Sequence, residues 1–175
     1  FYNLSENLEF HLLGNHLLEN AFSLLFGSFY FQDEKLYSKS KKILTRELNE
    51  QILEDGGHFE LSPMYHQLIL FRVLECIQLI KLNSWKKDDL FKFLKESSYK
   101  MLSWLDNITF NNGDIPMVND SAFQIAPSTK VLLDYGKSLG VNRKNIELSD
   151  SGYRIFKNQK YEFFMDLGGV KASYQ

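Results

Sequence analysis

Apolar residues recur along most of this chain at alternating steps of three and four, the period of one face of an α-helix. The longest such stripe occupies positions 4, 8, 11, 15, 18, 22, 25 and 29 and predicts one continuous first helix. Leu4, Leu8, Leu18, Phe22, Leu25 and Phe29 are apolar, whereas His11 and Asn15 interrupt the stripe. A buried amide left without a partner costs about 1–3 kcal/mol, so this intrusion requires a partner, a water or a cleft. A satisfied core Asn and His is one reading, and a functional cleft is the other.

A second amphipathic segment runs from about Lys35 to Leu53, with Leu36, Ile43, Leu44, Leu48 and Ile52 inward, until Asp55-Gly56-Gly57 breaks it. The third helix announces its start: Ser62 is suited to the N-cap and Pro63 to the first helical position. Tyr65 and His66 then fall in the first turn, and Leu68, Ile69, Val73, Cys76 and Ile80 continue the buried face. A fourth helix is expected from about Trp85 to Leu105, burying Phe91, Leu94, Met101, Leu102 and Leu105, with Lys86 to Asp89 as a solvated first turn. The connection from Asn107 to Gln124 is long and rich in Asn, Gly and Asp, and long loops in compact domains often carry function. A short fifth helix is predicted from about Pro127 to Ser138, ended by Gly140.

Beyond Ser149 the period changes to two. Tyr153 to Phe156 and Tyr161 to Leu167 read as strands around an Asn158-Gln159 turn, with Tyr161, Phe163, Met165 and Leu167 on one face. Helical hairpins followed by strands predict a mainly α chain with a domain boundary near residues 140–150.

Composition narrows the function classes. A chain of 175 residues at 44% hydrophobic can bury a real core. Its net charge of −2 leaves no electrostatic footprint for nucleic acid, so no nucleic-acid partner is expected. No apolar stretch approaches the roughly 20 residues of a membrane span. The single cysteine, Cys76, excludes an internal disulfide and reads as a small core hydrophobe. The chain opens on Phe1-Tyr2-Asn3 without Met and stops at Ser173-Tyr174-Gln175, so it is expected to be a piece of a longer protein.

All four histidines lie at or before residue 66, in two polar segments: His11 to Ala21, and Asp55 to His66. Together these hold an amide, imidazoles and a phenol, a set able to remove a weakly acidic proton from a sugar acid. Metal binding is poorly served. His11 and His16 are five apart and do not share a helical face, and His58-x-Glu60 alone is a weak pair. Glycoside hydrolysis needs a carboxylate pair across the bond, and none stands out.

Three ordered motifs carry a resemblance: HLLGNHLLENA (His11 to Ala21), EQILEDGGHFELSPMYH (Glu50 to His66) and GDIPMVNDSA (Gly113 to Ala122). In these the chain resembles the heparinase II/III family of polysaccharide lyases, and its tail from Ser151 resembles the start of that family's β-sandwich. One departure is Leu61, where the family's motif has an arginine. The resemblance implies part of an (α/α) toroid over residues 1–145 and the first strands of a truncated antiparallel β-sandwich over 146–175. It implies β-elimination on an anionic uronate polysaccharide, with no cofactor and no metal, in a bacterial envelope setting. Asn15 would bind the uronate carboxylate with His16 beside it, and Tyr65 would act as general acid and, for some substrates, base. A tyrosine with a pKa of ~10 needs help to act as a base at neutral pH, and its first-turn position and neighbouring imidazoles are candidates to supply it.

His11, His58, Glu60 and His66 are expected to line subsites or to hold the catalytic groups from behind: His11 orienting Asn15, His58 and Glu60 shaping the tyrosine's loop, His66 packing under Tyr65. Asn119 and Asp120 read as structural polar contacts or as a cap of the next helix. The histidine that completes the site in the family lies in its β-sandwich, and none occurs after His66 here, so the isolated chain is expected to be weak or inactive. A non-catalytic carbohydrate-binding protein and a helical-repeat interaction module are the alternatives. The latter would leave Asn15 and Tyr65 far apart.

Overall fold

The computed structural model describes residues 1–168 apart from Leu13. Within these residues the elements are α1 (Tyr2–Glu6), α2 (Gly14–Phe31), α3 (Glu34–Gln51), α4 (Pro63–Leu82), α5 (Asp89–Ile108), α6 (Thr129–Ser138), β1 (Tyr153–Lys157) and β2 (Glu162–Asp166). The helices pack as consecutive hairpins, α2 on α3 and α4 on α5, with α6 laid against α4 and α5. This mainly helical class, ending in an antiparallel strand pair, is the one expected of part of an (α/α) toroid. The expected strand domain is described only up to residue 168, and its part from 169 onward lies outside the described residues.

Local chemistry explains most boundaries. Asp33 caps α3, its carboxylate accepting from the amides of Lys35 at 2.8 Å and Leu36 at 3.0 Å. Asp88 caps α5 through the Leu90 amide at 3.0 Å, so Lys86 and Lys87 lie ahead of that helix rather than in its first turn. The same carboxyl accepts from the Tyr37 hydroxyl at 2.7 Å, tying the start of α5 to α3. Leu18, Phe22, Leu25, Leu44, Leu48, Ile69, Val73, Cys76, Ile80, Leu94, Met101 and Leu105 are buried in one core.

The first predicted helix requires correction. Its apolar spacing is continuous, yet the helix is not: α1 stops at Glu6, and α2 begins only at Gly14. Asn7 closes α1 by donating its side-chain amide to the Asn3 carbonyl at 2.8 Å. Gly14 has φ +53°, outside the right-handed helical region. His11 is therefore exposed in the intervening turn and does not sit one helical turn before Asn15.

The strands form an antiparallel hairpin with Tyr153 opposite Asp166 and Phe156 opposite Phe163. Asn158 makes the turn, its side-chain oxygen accepting from the amides of Lys160 and Tyr161 at 2.8 and 2.9 Å. Tyr161, Phe163 and Leu167, on the shared face, are exposed, while Phe164 turns toward Tyr153 with ring centroids 4.8 Å apart.

Two anchors fix this hairpin to the helices. Tyr153 is fully buried against Trp104, at 5.8 Å between ring centroids. The buried Asp55 carboxylate accepts from the amides of Gly57, Asp150 and Ser151 and, at 2.6 Å, from the Ser151 hydroxyl. The Trp104 indole donates to the same hydroxyl at 3.1 Å. Gly57 is required here, because a Cβ would lie 2.8 Å from the Trp104 indole nitrogen. The Asp-Gly-Gly sequence is thus a clasp as well as a helix breaker.

Candidate active site at two helix starts

Tyr65 stands in the first turn of α4, as its sequence context predicts. Ser62 is the N-cap, its hydroxyl oxygen accepting from the Tyr65 amide at 3.3 Å, with Pro63 opening the helix. The loop of the third motif docks onto this start. The Ser62 hydroxyl donates to the Asp120 carbonyl at 2.8 Å and lies 3.1 Å from the Ser121 hydroxyl. Asn119 donates to the Leu61 carbonyl at 2.8 Å and to the Tyr153 hydroxyl at 3.0 Å, and that hydroxyl also donates to Leu61. Asn119 is therefore the structural contact expected of it. Ser128, rather than Asp120, occupies the N-cap of α6.

Leu61 adopts φ +54° and is buried. Its carbonyl accepts both contacts, so the replacement of an arginine at this position leaves the backbone bonding of the turn intact.

This docking brings the Asp120 carboxylate to the Tyr65 phenol. Burial raises the phenol's pKa above its ordinary value, and the charge of Asp120, a hydrogen bond to it and the charge of Glu60 push it further the same way. The expected help toward a lower value is absent. The first-turn position does not prevail over burial and the two carboxylates. The neighbouring imidazoles, His58 and His66, are fully buried, and burial holds both pKa values down at about 3, so they are neutral at pH 7.

Glu60 is half-buried. Burial and Asp120 raise its pKa, opposed by His16. The opposing influence places His16, exposed on the first turn of α2, within electrostatic reach of Glu60 across the helix pair. Asn15, beside His16, is half-buried and has no side-chain hydrogen bond among the described residues, leaving its amide available. Asp120 thus acts on both Glu60 and Tyr65, and His16 acts on Glu60, so residues from three separate motifs influence one another, and Asn15 precedes His16 in the chain.

His58 and His66 lie behind this group. The Nε2–H of His66 donates to the Met101 carbonyl at 3.1 Å, and its Nδ1 accepts the His58 amide at 3.3 Å. A cleft of about 500 Å³ lined by Thr109, Lys130, Lys137, Arg143 and Lys157 lies away from all of these residues. The sequence reading missed the partnership of Asp120 with the phenol and the buried Gln51, whose side-chain amide donates to the Gly14 carbonyl at 3.1 Å. The first had a faint signal in the Asn-Asp pair of the long loop, and the second had none.

Comparison with known proteins agrees with the fold and with the motifs. The family model described as the heparinase II/III N-terminus matches residues 4–144. A heparin-sulfate lyase from Bacteroides stercoris is 28% identical over 112 residues, which cover 62% of this chain and 17% of that protein. Two solved structures are similar: a heparinase III gene product (TM-score 0.72, 21% identity, 90% of this chain and 28% of that one) and a heparinase III crystal structure (TM-score 0.63, 23% identity, 83% and 27%). The chain therefore spans well under a third of the length of each of these relatives.

Proposed function

The chain belongs to the heparinase II/III N-terminal family, and from that premise we propose that it forms part of a polysaccharide lyase acting on uronate-containing glycans by β-elimination. The observation that carries this reading is the group at the starts of α2 and α4 in which His16, Glu60, Tyr65 and Asp120 influence one another, with His16 following an Asn15 whose amide has no partner among the described residues. Residues 1–145 would contribute the end of the toroid, and residues from 146 onward would open the β-sandwich.

In this mechanism the proton at C5 leaves to a base, the C4–O bond breaks, a C4–C5 double bond forms, and the departing oxygen takes a proton. The C5 proton is weakly acidic because the adjacent carboxylate is already anionic. Asn15 donates its amide to that carboxylate and stabilises the enolate that develops, a task for preorganised donors. His16 stands beside it and adds a second donor to the same charge.

Tyr65 is the general acid. A raised pKa keeps the phenol protonated at neutral pH, the form that can deliver a proton to the leaving oxygen. Asp120 accepts that O–H before the reaction, and the hydroxyl turns from the carboxylate to the leaving oxygen to deliver its proton. The same shift disfavours Tyr65 as the base, which leaves that role to a histidine outside this chain and makes the chain by itself a weak or inactive catalyst. The name of the curated relative favours a glycosaminoglycan substrate.

The test is the ultraviolet absorbance of the unsaturated uronate product, measured on the complete protein carrying this chain against a panel of uronate glycans. Wild type, Asn15→Ala and Tyr65→Phe are compared, with circular dichroism as the folding control. Loss of product in both folded variants supports the reading. Turnover surviving both substitutions overturns it, and glycan binding without product in the wild type favours the non-catalytic binding protein.

A further inference from the structure

A buried chain of polar groups leads to the start of α2. Gln51, the last residue of α3, is fully buried. Its side-chain nitrogen donates to the Gly14 carbonyl at 3.1 Å and to the Glu47 carboxylate at 3.0 Å. Its side-chain oxygen lies 3.1 Å from Nε2 of His58. Chemistry fixes this orientation: two acceptors face one end of the amide, so the NH₂ must lie there and the oxygen must accept from the imidazole. His58 therefore carries its proton on Nε2, and its Nδ1 is buried without a partner among the described residues. The far ends are held as well. Arg46 grips Glu47 at 2.8 Å, and the His58 amide donates to His66, which is locked to Met101 on α5.

The near end of this chain is Gly14, the residue immediately before Asn15. Glycine crosses φ space with little steric restraint, and Gly14 sits at φ +53°. The peptide unit is planar, so fixing the Gly14 carbonyl fixes the plane that carries the Asn15 nitrogen. That in turn sets the direction in which the Asn15 side chain leaves the backbone.

We propose that Gln51 is a positioning residue for Asn15: it pins the Gly14–Asn15 peptide and so aims the amide that receives the substrate carboxylate. This rests on the reading of Asn15 as the carboxylate clamp. The segment that presents Tyr65 thereby also holds the opposite side of the site, and His58 adds a donor to the oxygen end of the Gln51 amide.

The experiment compares wild type, Gln51→Met and Gln51→Asn in the complete protein. Met removes the donor at similar volume, and Asn keeps the amide one methylene too short to reach Gly14. Amide hydrogen exchange reads residues 15–18 against the α4 core, residues 69–74, and product absorbance gives kcat and KM on the same samples. The expected result is faster exchange confined to residues 15–18, with kcat reduced about tenfold or more and KM little changed, since small misplacements of a positioned group act on rate. Unchanged exchange at residues 15–18, or a rise shared equally by the α4 core, overturns the proposal. Local loosening with undiminished kcat, where Asn15→Ala is inactive, also overturns it while sparing the clamp. If Asn15→Ala is itself fully active, the clamp reading fails, and the exchange pattern alone decides whether Gln51 pins the peptide.

Discussion

The two helix starts that flank the proposed site are built on opposite plans. At α4 the framework is redundant: a serine cap, a proline in the first turn, Ser121 and the Asp120 carbonyl on the capping hydroxyl, and Asn119 and Tyr153 on the carbonyl just before. At α2 the helix opens on a glycine at positive φ, and among the described residues one buried side-chain amide, that of Gln51 on α3, reaches its first carbonyl. Among the described residues, the proposed proton donor is held by many weak contacts and the proposed carboxylate clamp by few. A site framed tightly on one side and more sparsely on the other should respond differently to substitutions behind its two sides.

The largest expected effect removes chemistry and leaves both frames alone. Tyr65→Phe should lower turnover by roughly 10²–10⁴-fold, the range for loss of a general acid, with an unchanged melting temperature. A drop in stability of similar weight would show that the phenol belongs to the frame.

Next is Asp55→Ala, which strips three amides and a hydroxyl of a shared acceptor. A cost of about 2–4 kcal/mol is expected by urea unfolding, because hydrogen bonds to a charged group are the strong ones and their loss orphans buried donors. Early proteolysis between residues 146 and 152 should accompany it.

The buried histidines sharpen the comparison through pH. Their folded pKa values, near 3, lie below the ordinary value of 6.5, so between those values the unfolded chain binds more protons. The stability that they contribute is present above pH 6.5 and is lost as pH falls toward 3. Between pH 7 and pH 5 the loss should be about 1–2 kcal/mol per histidine. Urea midpoints across this window, with His66→Phe expected to remove about half the slope, check the sign. A midpoint that rises on acidification would contradict the buried neutral form.

The smallest effect tests redundancy itself. Ser62→Ala should cost only about 1 kcal/mol, the usual value of a cap. Product formation should be nearly unchanged, because the remaining contacts still hold the first turn of α4. A collapse of activity would remove the contrast between the two starts.

Much of the fold was legible in the sequence because helical periodicity and capping are local. Leu36, Ile43, Leu44 and Leu48 read directly as the buried face of α3, and Ser62-Pro63 located the start of α4 to the residue. The same periodicity misled between Leu4 and Leu18, since side-chain spacing does not register a backbone that departs from the helix and re-enters it at Gly14. At the site, the candidates that the motifs named fall at two neighbouring helix starts, but their protonation behaviour did not follow from their positions. The Tyr65 phenol is governed by burial and then by Asp120, and the histidines by burial, and both depend on packing between segments remote in sequence. Gln51 was invisible for the same reason: it lies near the end of an amphipathic helix, and nothing local marks it as the partner of Gly14.

The Asp55 clasp and the buried Tyr153 also bear on how this molecule would yield. A boundary drawn where helices give way to strands would fall in the connection before β1, yet the first strand is stitched into the helical core on both sides of that line. A pull on the strands would thus load the turn just before α4 and the loop that carries Asp120 before it stretched the linker. The weak seam under tension is expected beyond Phe164, so that β1 breaks away with the helices rather than from them.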